Sequence, residues 1–167
     1  MQFALLVAAV GIFALTGYLD VRTRRIPNVL SMAIAVLGIV RIALGLDWAG
    51  GIYSLASGAG MFATALALYR WGLIGGGDAK MVAAAALLVG YRDLLGFLFI
   101  MSICGGALAV AILAADKLEF PLRRLWRAAR MRPGTEGEPD RPAPRQSSVP
   151  YGVAIAAAGV ITLISPR

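Results

Sequence analysis

Histidine is missing from all 167 residues of this chain, and cysteine occurs once. Without histidine there is no Ser-His or Cys-His nucleophile system, no HExxH zinc site and no imidazole acid-base chemistry. A single cysteine, Cys104, set within an apolar run, excludes a disulfide framework and a four-cysteine metal site and is read as a small packed hydrophobe. Charge is scarce too: only 15% of residues are charged, and the 9 acidic residues are outnumbered by 16 basic ones. Any catalysis therefore rests on Asp, Glu, Lys, Ser or Tyr.

What is abundant is apolar surface. Hydrophobic residues make up 59% of the chain and the mean hydropathy is +0.77, far from the balance of a soluble domain. The expected fold class is all-α, a polytopic membrane helix bundle of about six spans in one domain covering residues 1–167. The net charge of +7 does not point to nucleic acid, because the basic residues cluster between apolar runs as the positive-inside rule requires.

The runs follow in order. Met1 to Leu19 is uncharged, with its arginines after it in DVRTRRIPN, so it is read as a retained helix and not a secretory signal. Val29 to Leu46 follows Pro27 and Asn28, the latter a plausible N-cap, and contains Arg41, read as snorkelling to the interface. Gly50 to Tyr69 carries Ala56 and Gly60 at the small-xxx-small spacing of close helix packing. Met81 to Tyr91 spans only about 16 Å against a hydrocarbon core of roughly 30 Å. It reaches sufficient length only if Trp71 to Lys80 is included. Leu94 to Ala115 carries Gly105 and Gly106 as expected packing positions, and Pro150 to Ile164 is the last, short run.

Residues 116–149 form the only sizeable polar segment. In PLRRLWRAARM, Leu122, Leu125, Trp126 and Ala129 share one helical face and Arg123, Arg124, Arg127 and Arg130 lie largely on the other, the pattern of a helix at 118–131 resting on anionic lipids. The stretch that follows, RPGTEGEPDRPAPRQSSVP, holds five of the eight prolines, counting Pro150 at its end, and reads as a flexible tether. Thirteen of the sixteen Lys and Arg residues fall in loops on one side, which marks that side as cytoplasmic. Asp20 and Asp78 then emerge on the cytoplasmic side, and Asp47 and Asp93 on the other.

An acid near mid-bilayer costs about 2.5–3.5 kcal/mol on insertion scales, less near the interface, so this pair calls for partners or a purpose. One reading is structural, with Asp20 capping a helix end beside Arg22 or Arg24 and Asp78 favouring a helix dipole. The other is catalytic. Two carboxylates that share a proton supply one charged group to activate water and one protonated group to polarise an amide carbonyl, which hydrolyses a peptide with no cofactor and no metal. Gly75, Gly76 and Gly77 before Asp78 leave room for an extended substrate backbone. The same stretch lacks the GK[ST] ending of a P-loop and the third glycine of a GxGxxG turn. Lys80 has three readings: a group that orients phosphates, a counter-charge near Asp78, or a side chain snorkelling to the cytoplasm.

GGGDAK contains the GxGD signature of intramembrane aspartyl proteases. Together with Asp20, the Ile26-Pro27-Asn28 of DVRTRRIPN, and PYGVAIAAAG at 150–159, it resembles the type IV prepilin peptidases, especially the short form serving tight-adherence pili. The resemblance runs from the first run to the last. It implies that Asp20 and Asp78 cut the basic leader from prepilins or pseudopilins at the cytoplasmic face of a bacterial inner membrane. It places Gly75, Gly77, Lys80, Pro27, Asn28, Pro150, Tyr151 and Gly152 along the substrate path. Longer members also methylate the new N-terminus through a domain with paired cysteines; this chain has neither, so methylation is not expected. Two readings from other classes stay open: a small ion or proton carrier, and a non-catalytic subunit of a pilus or secretion assembly.

Overall fold

The computed structural model describes residues 2–23, 26–45, 47–130 and 151–165, with the side chains at 2 and 115–130 left aside. The described residues form helices only: α1 (Gln2–Thr23), α2 (Asn28–Leu44), α3 (Trp48–Arg70), α4 (Gly76–Val89), α5 (Leu94–Arg130) and α6 (Tyr151–Ile164). The protein is a membrane helix bundle. Phe3–Thr23, Trp48–Arg70 and Leu94–Ala114 are long and apolar enough to cross a bilayer, while Asn28–Leu44 and Tyr151–Ile164 are shorter apolar helices. Large apolar side chains such as Phe3, Trp48 and Leu95 stand 78%, 86% and 80% exposed, which suits lipid and not water. The chain divides into two units, Met1–Gly105 with Pro150–Arg167, and Gly106–Val149.

The fourth run does not extend backwards to gain length. Gly72, at φ +73°, ends α3 in a Schellman motif, with Leu73 N–H bonded to Leu68 O at 3.0 Å and Gly72 N–H to Tyr69 O at 2.9 Å. Helix α4 then starts at Gly76 and covers 14 residues, about 21 Å. So short a helix is protected by protein: nine of its residues are buried, among them Met81, Ala85, Ala86 and Val89, and it packs against α2, α3 and α6. Its alanines let these three neighbours approach closely. Phe13, Ile34, Phe97 and Ile155 complete the core around it.

The C-terminal end of α4 has an unforeseen partner. Arg41 does not simply snorkel: Nη1 donates to Leu88 O at 2.6 Å and to Val89 O at 3.0 Å. A cation thus satisfies carbonyls that a helix end leaves open and meets the negative end of the dipole. Gly90, at φ +87°, makes room, since a Cβ there would lie 2.8 Å from Arg41 Nη1.

Three other expectations are corrected. Ala56 and Gly60 are exposed, and nothing approaches Gly60 within 4 Å; the packed face of α3 is Gly51, Ser54 and Gly58, with Leu87 of α4 lying on Gly58. Small residues occur on several faces of α3, so spacing alone did not select the buried one. Gly105 packs near Ala154, whereas Gly106 has open space beside it. The helix expected to begin at 118 is the continuation of α5 through Arg130. No glycine or proline lies between Ala107 and Phe120, and nothing in that stretch ends a helix. Its arginine face falls on side chains outside the described residues, as does the proline-rich segment.

Candidate active site

Asp20 sits in the last turn of α1 and is 5% exposed. The α1–α6 seam brings it there: Gly17 lies against Ala156, and the Phe13 ring sits directly on Gly159, where a Cβ would come within 2.5–2.8 Å of three ring atoms. The Asp20 carboxylate thereby meets the N-terminus of α6 and accepts a hydrogen bond from the backbone N–H of Val153 at 3.2 Å. The positive end of that helix favours a negative charge buried against it. A Cβ on Gly152 would lie 2.6 Å from Asp20 Oδ2 and 2.8 Å from Cγ, so the approach depends on glycine. Arg22, offered as a partner for Asp20, donates instead to Tyr18 Oη at 2.5 Å, and Arg24 lies outside the described residues.

Asp78 is half-buried at the third position of α4. Gly75 is the N-cap, extended at φ −72° and ψ 148°, and the Asp78 carboxylate folds back towards it. An aspartate at the third helical position stands where a carboxylate reaches back towards the cap residue and favours the helix dipole. A Cβ on Gly75 would lie 2.9 Å from Asp78 Oδ2. Gly152, against Asp20, and Gly77, next to Asp78 in the chain, both face Ile26, so two acids 58 positions apart in the chain are gathered around one side chain. Each is held at a helix N-terminus, Asp20 at that of α6 and Asp78 at that of its own helix.

Ile26 joins the pieces; the sequence marked it only as part of Ile26-Pro27-Asn28 and gave it no place in the site. Its Cδ1 would lie 2.8 Å from a Cβ on Gly152, and its Cβ 3.4 Å from a Cβ on Gly77. One side chain therefore touches both the GGGD turn and the start of α6. The available signal was a lone apolar residue between RTRR and proline, where a solvated turn has no use for one.

The remaining candidates divide. Gly75, Gly77 and Gly152 are gathered with the two aspartates. Pro27, not Asn28, is the N-cap of α2, and it makes no side-chain cap bond. Asn28 is the first helical residue, and its Oδ1 accepts from Lys80 Nζ at 3.2 Å. At 100° per residue, Lys80, Ala83, Ala84 and Leu87 lie on the side of α4 opposite Asp78, Val82 and Val89. Lys80 is thus bound to Asn28 on another face, away from the acid. Tyr151 is 46% exposed, and Pro150 lies outside the described residues.

The fold and these contacts define a helical membrane protein with two acids drawn to one end of a buried short helix. Residues 6–110, more than half of the chain, match the family model described as the type IV leader peptidase family. The chain belongs to that family, and it is a membrane-bound leader peptidase. The matched region includes both aspartates and the glycine turn. No curated protein and no solved structure matches it.

Proposed function

We propose that the protein is an aspartic endopeptidase in which Asp20 and Asp78 together hydrolyse the leader bond of type IV or tight-adherence prepilins or pseudopilins, without N-methylation. The observation that carries this reading is the convergence of two acids, each on a helix N-terminus, around the Ile26 side chain. Like charges so placed disfavour double ionisation, so a single proton is shared between them. The ionised carboxylate takes a proton from water as the oxygen attacks the scissile carbonyl. The protonated carboxyl hydrogen-bonds the carbonyl oxygen, and the amine departs with a proton returned from the pair. Helix N-termini suit this work because they steady a carboxylate without neutralising it.

The substrate in this reading carries a short basic leader ahead of an apolar helix. Its scissile bond lies at the cytoplasmic face of the inner membrane, the side that the thirteen loop cations assign to both acids. Gly77 and the Tyr151–Gly152 segment border the peptide path.

The test is cleavage of purified prepilin by reconstituted enzyme. Asp20→Asn and Asp78→Asn keep shape and remove the proton chemistry; each is expected to lower kcat by about 10²–10⁴, the range for a general acid or base. Wild-type turnover by both inserted variants would refute the assignment. Ion flux in liposomes without cleaved product would support the carrier reading, and tolerance of both substitutions in pilus assembly would support the subunit reading.

A further inference from the structure

A second concavity, of about 570 Å³, opens between α2, α3 and α4 on the side of α4 that faces away from Asp78. Its space comes from small residues, Gly58 and Ala59 on α3 and Ala83 and Ala84 on α4. Its rim is apolar and open to the bilayer: Met32, Leu55 and Phe62 are 66%, 48% and 46% exposed. Polar groups gather at the α2 and α4 N-terminal end, where Lys80 Nζ meets Asn28 Oδ1. Ser31, one turn further along α2, lines the same cavity at 5% exposure, and its hydroxyl has no hydrogen-bond partner among the described residues.

We propose that this groove binds one anionic phospholipid, with an acyl chain along the small-residue floor, the phosphate on Lys80 and an ester or phosphate oxygen accepting from Ser31. A buried hydroxyl left without a partner loses its hydration and gains nothing in return, so an acceptor from outside the chain answers it. An apolar peptide helix brings no such acceptor. Charge separates the two as well. Lys80 attracts phosphate and repels a basic leader, and the groove lies on the far face of α4 from the acids. The site stands apart from the catalytic reading, and its test does not involve peptide cleavage.

The full-length protein is reconstituted in nanodiscs with phosphatidylglycerol or phosphatidylcholine bearing the same diazirine-labelled acyl chain, irradiated, and mapped by peptide mass spectrometry. Adducts from phosphatidylglycerol are expected on α2, α3 and α4 residues lining the groove. They should fall about tenfold in Lys80→Glu, the loss expected for one hydrogen bond to a charged group. Ala59→Trp, at an exposed position, is expected to close the groove and produce a similar fall. Ser31→Ala is expected to fold normally, since it removes an unpartnered hydroxyl, and to produce a smaller fall. Equal labelling by the two lipids, or labelling of the groove unchanged in Ala59→Trp and Lys80→Glu, overturns the proposal. So does efficient labelling of the groove by a diazirine-bearing prepilin helix, which would make it a peptide site.

Discussion

Gly152→Ala separates a catalytic role for the Asp20 contact from a merely structural one. Within α6, alanine is the better helix former by about 1 kcal/mol, so local propensity alone predicts a gain. The tertiary contacts oppose it: the new methyl would sit 2.6 Å from Asp20 Oδ2, 2.8 Å from Cγ and 2.8 Å from Ile26 Cδ1. Overpacking of this kind costs about 1–3 kcal/mol, and relief requires Asp20 to back away from Val153 N–H. The net stability change is therefore small, about 0–2 kcal/mol of destabilisation. The effect on turnover is large, because a displacement of about 1 Å at a reacting group lowers rate about a hundredfold. The assay compares cleavage per folded molecule with thermal unfolding in detergent, using Gly106→Ala, where nothing lies within 4 Å, as the control that shows the helix-propensity gain without a collision. Ile26→Val in the Gly152→Ala background removes one of the two collisions and leaves the carboxylate one, so partial recovery is expected. Cleavage by Gly152→Ala at the wild-type rate would show that the close contact between Asp20 and α6 has no part in catalysis.

Two further substitutions test the scaffold. Arg41→Met removes two charge-assisted hydrogen bonds to Leu88 O and Val89 O and is expected to destabilise the bundle by about 2–3 kcal/mol, read by thermal unfolding in detergent, with cleavage per folded molecule nearly retained. An unchanged midpoint would mean that those carbonyls find other partners. Gly159→Ala places a methyl 2.5–2.8 Å from the Phe13 ring and is expected to loosen the α1–α6 seam, costing about 1–3 kcal/mol. Trimming the ring with Phe13→Leu in that background is expected to restore part of the loss; no recovery would place the defect elsewhere.

Composition and run length determined a good deal by themselves: a helical membrane bundle, six apolar helical runs in order, and two acids at run ends. These are properties written along the chain, because the period of a helix and the thickness of a bilayer act on consecutive residues. The GxGD turn and the shortness of the fourth run were legible for the same reason. Only the tertiary structure decided which faces meet. Helix α3 has small residues on several sides, and packing selected Gly51, Ser54 and Gly58 over Ala56 and Gly60. Asp20 finds its partner 133 residues away at Val153, Arg41 finds Leu88 and Val89 at the end of α4, and Lys80 turns from Asp78 to Asn28. No spacing rule encodes such pairings. They depend on three-dimensional closeness, which sets the contacts available to each charge once the helices have packed.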